Sequence, residues 1–178
     1  MNRLSGITRP GATPLKNPGK HSPLLLQNRI QAEVVGPDGV VKHRIDHRGN
    51  ILATYGLNRL IEMLASDTNG ASRWCSAMAI GTSTTAAAST QDSLVASTQI
   101  VHLSQASMVA SDAGARSLQY NATFASNGNA CAIHEVGLFA TNNATQNMIA
   151  RSVLGTDSIN RGTADEIRIS YQVIAGTA

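Results

Sequence analysis

The 178-residue sequence predicts a mainly β protein: an antiparallel β-sandwich of jelly-roll-like kind, with one amphipathic helix and an extended N-terminal arm. Three observations predict it. Two stretches, Arg116 to Phe124 and Ile167 to Ile174, alternate well between apolar and polar residues, the period of a half-buried strand. All five prolines fall within the first 37 residues, so nothing after Pro37 interrupts a hydrogen-bonded ladder. Only one stretch has apolar residues at helical spacing, and short strands with polar turns and a single helix are the pattern of a two-layer antiparallel fold. No repeat of solenoid period is present, which leaves a β-helix the lesser alternative.

Residues 1 to 26 read as the arm. They lack apolar periodicity, place Gly or Pro every few positions, and carry Arg3, Arg9, Lys16 and Lys20 with no acidic residue. Residues 27 to 178 then form a single β-sandwich domain, of a size that buries a core. From Gln27 to His47 two runs flank Gly36-Pro37-Asp38-Gly39, whose residues have the turn chemistry of a hairpin. Leu57, Leu60, Ile61 and Leu64 share one helical face, and Asn69-Gly70 supplies the stop. Trp74 to Ile80 reads as a strand with Trp74, Met78 and Ile80 on one parity, and Gly81 to Thr90 as a Ser/Thr/Ala loop without packing residues. Leu118, Tyr120, Ala122 and Phe124 face one way in the next strand, which ends at the turn Ser126-Asn127-Gly128-Asn129. Ile133 to Ala140, Met148 to Leu154 and Ile167 to Ile174 complete the set.

Composition narrows the function. Charged residues are 14% of the chain and aromatics 3%, which is a surface with little self-repulsion and a core to be filled by Leu, Ile, Val, Met and Ala. That is the composition of a protein that packs beside other proteins. Of the net charge of +3, residues 1 to 48 hold +5 and the remainder −2, so the basic end is suited to an acidic surface or to the body of another copy. Cys75 and Cys131 share no metal-ligand or redox spacing, and no signal sequence or membrane-length apolar run is evident, which places synthesis in a reducing cytoplasm.

Candidate chemistry is sparse. Gly19-Lys20 lacks the first glycine of a phosphate-binding loop, where Pro14 stands instead. His43 and His47 are four apart, a ligand spacing that works on a helix, but the stretch reads as a strand. Cys131, His134 and Glu135 are near neighbours without a third orienting group, and Glu135 reads as a residue that caps or bridges structure. Asp157, Asp165 and Glu166 lack the oxygen-ligand density of a calcium loop. The triplets Asn121-Ala-Thr123 and Asn143-Ala-Thr145 match the glycosylation pattern by chance. The arm carries no aromatic, and Arg59 on the helix is opposed by Glu62, so nothing specific for nucleic acid is present despite an isoelectric point near 9.2. The expectation is a protein with no catalytic residues, no metal, no cofactor and no membrane segment.

Three segments in order carry a resemblance: Asn50 to Leu64 (NILATYGLNRLIEML), Ala79 to Leu94 (AIGTSTTAAASTQDSL) and Ile133 to Val153 (IHEVGLFATNNATQNMIARSV). They are similar, in turn, to a glycine-marked entry into an amphipathic helix, to an "IGTGTTAP…DTAL" stretch and to an "EVGLF…G.LIAR" stretch in small β-sandwich structural virion proteins of tailed bacteriophages. The chain departs from that pattern at Ser83, where glycine is common, and in lacking proline between Ala86 and Ser89. The resemblance implies a non-enzymatic virion component, either a head decoration (cement) protein on the major capsid protein or a neck, collar or tail (fibre-attachment) protein. A receptor-binding fibre would carry a long shaft, whereas this sequence stops just past its last strand. In this reading the chain is a homo-oligomer whose arm ties neighbouring subunits, with Arg3, Arg9, Lys16 and Lys20 on carboxylates and Leu24, Leu25 and Leu26 anchoring the arm root.

Overall fold

The computed structural model describes residues 24–49, 51–58, 75–103, 107–110, 116–141 and 145–177. Within them lie twelve strands: β1 (Leu24–Val35), β2 (Val41–Arg48), β3 (Ile51–Leu52), β4 (Ala77–Gly81), β5 (Ser97–His102), β6 (Ser107–Ala110), β7 (Arg116–Phe124), β8 (Cys131–Ile133), β9 (Glu135–Phe139), β10 (Met148–Val153), β11 (Ile159–Arg161) and β12 (Glu166–Thr177). They form one five-stranded sheet in the order β2-β1-β12-β7-β6, a second in the order β3-β10-β9-β4-β5, and a two-stranded ribbon, β11-β8. Every ladder is antiparallel. The mainly β antiparallel fold is as the sequence predicts.

The alternating segments place the core. On β7 and β12, Tyr120, Ala122 and Phe124 face Ile167, Ile169, Tyr171 and Val173 across the ladder, and Ile30, Ala32 and Val34 of β1 continue the same face. Met78, Ile80, Val136, Leu138 and Ala150 of the second sheet belong to the same buried cluster, so the two sheets share one interior. Each large apolar side chain buried there contributes about 1.5–3 kcal/mol. Aromatics are few but central: Phe124, Phe139, Tyr120 and Tyr171 are all buried. The filling is largely aliphatic, as the composition foretells, with Tyr120, Phe124 and Tyr171 the rings in the shared interior.

The hairpin forms as expected. Gly36 N donates to Val40 O at 2.8 Å, Asp38 Oδ1 accepts from Val40 N at 3.1 Å, and Gly39 takes a positive φ of 78° that favours glycine. The expected strand Ile133 to Ala140 is divided at His134, whose N–H donates to Gly81 O while its carbonyl accepts from Leu154 N. The residues before it pair with β11 and those after it with β4 and β10, so the chain changes partners at that point.

One expectation shifts. The arm was placed at residues 1–26, but β1 begins at Leu24, and Leu24, Leu25 and Leu26 pair with Thr177, Gly176 and Ala175 of β12. These three leucines therefore continue a sheet, because the last residues of β12 offer them partners that the sequence pattern does not display. Of the amphipathic helix, residues 54–58 are helical and Leu57 is 41% exposed, while Leu60, Ile61, Leu64 and the Asn69-Gly70 stop lie outside the described residues. Trp74 also lies outside them.

Candidate functional site

β4 and β9 are buried on both faces. Their inward side chains fill the shared core, and on the opposite face Ala77, Ala79 and Phe139, with Met148 of β10, form a second apolar cluster with Leu94. Leu94 belongs to the long connection 82–96, past the stretch Gly81 to Thr90 that the sequence marks as a loop without packing residues. Small polar residues cannot hold such a loop by burial, so hydrogen bonds must.

The holder is a buried ion pair. Glu135 opens β9 at 0% exposure and Arg151 lies on β10 at 1%. Arg151 Nε and Nη2 both reach Glu135 Oε2 at 2.8 Å. The rest of the guanidinium turns to the loop: Nη2 donates to Thr85 O at 2.9 Å, and Nη1 to Ala86 O at 3.2 Å and Gln91 Oε1 at 2.8 Å. Glu135 in turn accepts from Ala96 N at 2.8 Å and Val95 N at 3.3 Å. Both ends of the loop are thus fastened to one charge pair. Gly81 is required beside it, since a Cβ there would lie 2.4 Å from Glu135 Oε1 and 2.5 Å from Ala96 O. A pair this deep repays its desolvation only when its remaining donors and acceptors are satisfied, as they are here.

The helical segment joins the same knot. Thr54 donates to Ser89 O through its N–H at 2.7 Å and its hydroxyl at 3.0 Å, and Ala53 N donates to Ile149 O at 2.9 Å. Gly56 lies against the β10 backbone, where a Cβ would come within 2.3 Å of Ile149 O. The second and third segments that carry the sequence resemblance therefore meet at Glu135 and Arg151, and the described part of the first lies beside them, with Ile51 opposite Arg151 in the ladder and Thr54 bonded to Ser89. Glu135 was read from sequence as a bridging residue; Arg151, sixteen positions away, was not singled out, because no local spacing reveals a cross-strand partner.

The other candidates do not assemble into a reactive site. His43 and His47 lie four residues apart on β2, about 13 Å along a strand, and His47 Nδ1 is 3.1 Å from Asp157 Oδ2. Asp165 accepts from Lys42 Nζ at 2.6 Å and from Gly162 N at 2.9 Å, bonds that hold its carboxyl below the usual range; Glu166 pairs with Arg168 at 2.7 Å. Cys75 is buried against β4, and burial pushes its thiol up to about 12. Among the described residues no three His, Cys, Asp or Glu side chains gather as a metal site would require. Asn121 lies on the outer face of the first sheet, accepting from Gln119, and Asn143 lies outside the described residues. Of the arm residues, Arg3, Arg9, Lys16 and Lys20 lie outside the described residues as well.

A groove of about 590 Å³ crosses the outer face of the first sheet, lined by Glu33, Arg44, Asp46, Asn121, Arg168 and Ser170 among others. Its charges are paired locally, Arg44 with Glu33 at 2.8 Å and Asp46 with Arg29, so it presents a mixed polar surface with no dominant sign. A second arginine unseen in the sequence, Arg161 at the end of β11, is 3% exposed and has no ion-pair partner among the described residues. Comparisons with protein-family models, with curated proteins and with solved structures return no match to this chain.

Proposed function

We propose that this chain is a non-enzymatic structural protein of a tailed-phage virion, a head decoration protein that binds the capsid lattice through its body and its basic N-terminal segment. The observation that supports the reading is that the second and third resembling segments meet at the Glu135–Arg151 pair, with the described part of the first beside them on β10 and Ser89. Residues that match a pattern by accident have no reason to meet in space, whereas here the glutamate of EVGLF, the arginine of IAR and the loop after IGT form a single bonded unit. The product of that unit is a fixed surface loop, with Val95 52% exposed at one end, which is a contact element and not a cleft.

Binding energy in this reading comes from number. A segment such as residues 1–23 loses conformational entropy when it docks, so each contact is modest, and attachment to a repeating lattice multiplies it. Arg3, Arg9, Lys16 and Lys20 pair with lattice carboxylates, and contacts of that kind weaken with salt. The test is the copy number of the chain relative to the major shell protein in purified particles, by quantitative mass spectrometry. Decoration requires a number of the same order as the shell protein. A handful of copies per particle assigns the chain to the neck or tail instead, and absence from particles removes the virion reading.

A further inference from the structure

Among the described residues Arg161 is a buried cation with no carboxylate beside it. Nη1 donates to Gln99 Oε1 at 2.8 Å, Nη2 donates to Asn127 Oδ1 at 2.7 Å and to Cys131 Sγ at 3.6 Å, and the buried Nε has no partner. The acceptors are two side-chain amides and a sulfur. Six of the carboxylates among the described residues are already committed: Glu33 to Arg44, Asp46 to Arg29, Glu135 to Arg151, Asp157 to His47, Asp165 to Lys42 and Glu166 to Arg168. A guanidinium withdrawn from water carries a large penalty unless a counter-charge lies beside it, and a buried donor left unmade adds to it.

The vacant edge has a defined shape. In Arg151 the Nε and Nη2 positions both reach the carboxylate of Glu135. In Arg161 Nη2 holds the amide oxygen of Asn127 and the sulfur of Cys131, neither of them an anion partner, and Nε holds nothing. Carboxylates take this edge of a guanidinium with two parallel hydrogen bonds. Asn127 therefore occupies half of a carboxylate site. It also sits where the site meets solvent, since residues 125–130 are all exposed and Gly128, at φ 77°, has open space around it.

We infer that Arg161 is the receiving half of an intermolecular ion pair, taking the carboxylate of an aspartate or glutamate from a partner protein on its Nε–Nη2 edge, in the place that Asn127 fills in the isolated chain. The inference rests on the guanidinium and its surroundings and is independent of the virion reading. A small free carboxylate has the same chemistry, and the experiment separates the two sources.

The experiment compares thermal melts of the wild type, Asn127→Asp, Arg161→Gln and the double variant in potassium formate and in potassium chloride at equal ionic strength. Asn127→Asp places a carboxylate where the partner's would enter, so it melts about 2–4 °C higher than the wild type, and the gain disappears in the Arg161→Gln background. A wild type that formate stabilises over chloride, with no such response in Asn127→Asp, identifies a site that also accepts free carboxylate. A gain in Asn127→Asp without a formate response identifies one that takes only a tethered side chain. An Asn127→Asp variant that melts no higher than the wild type, or whose gain survives Arg161→Gln, overturns the proposal.

Discussion

The two buried arginines lie on neighbouring parts of the same fold and are solved differently. Arg151 is enclosed with Glu135, and all of its nitrogens are bonded within the chain. Arg161 is nearly as buried, yet meets only Gln99, Asn127 and Cys131 and keeps one nitrogen unbonded. Burial alone therefore does not tell what a charged residue does. A charge whose counter-charge is in the same chain fastens structure, and Arg161, whose partners are two amides and a sulfur, is the one for which we infer a carboxylate from outside the chain.

The largest effect should come from breaking the closed pair. Arg151→Met leaves the Glu135 carboxylate buried without its cation, and Glu135→Gln leaves the guanidinium in the same position; each should cost about 3–5 kcal/mol. Urea denaturation measures the loss. Hydrogen exchange at Ala96, whose N–H is held by Glu135, should accelerate in Glu135→Gln even under conditions where the chain stays folded. A cost below about 1 kcal/mol in both variants would show that the pair does not hold the loop.

Arg161→Met sharpens the contrast, because it strands no carboxylate. Asn127 is exposed and Gln99 half-buried, so water can take over their bonds, and the expected cost is about 1–2 kcal/mol. Equal losses for Arg161→Met and Arg151→Met would erase the distinction between the two sites.

The smallest effect concerns pH. Bonds from Lys42 and the Gly162 amide depress the Asp165 carboxyl in the folded chain. A depressed carboxyl adds stability that is fully present above its unfolded value, about 3.9, and is lost as pH falls through the lower folded value. Asp46, depressed by Arg29 on the surface of β1 and β2, acts in the same direction. Asp165→Asn should therefore differ from the wild type at neutral pH and converge with it in strong acid, read as urea midpoints against pH.

How much of this was legible in the sequence depends on whether the signal was local. β7 and β12 were plain, because Leu118 to Phe124 and Ile167 to Val173 alternate without a break. The β1–β2 turn was plain because Pro, Asp and Gly each have a conformational reason to be there. β5 and β11 were not foreseen: Ser97, Thr98 and Gln99 open one with polar residues, and the other is only three residues long, so neither presents a period to read. The arm boundary missed by three residues, since what recruits Leu24 to Leu26 into β1 is the far end of β12, about 150 positions along the chain. Arg151 and Arg161 stayed hidden for the same reason; their character is set by Glu135 and Asn127, which only the strand pairing brings alongside.

The register of β1 against β12 sets how the fold bears load. Leu24 lies opposite Thr177, so the first residue of β1 and the last of β12 emerge side by side at one end of the longest ladder. Antiparallel hydrogen bonds run perpendicular to their strands, and tension applied between those two positions meets the bonds one pair at a time, as a zipper does. Tension applied along either strand against the rest of its sheet meets many bonds together in shear. The ladder is consequently weak to a pull that parts Leu24 from Thr177 and strong to a pull that draws both the same way along their strands.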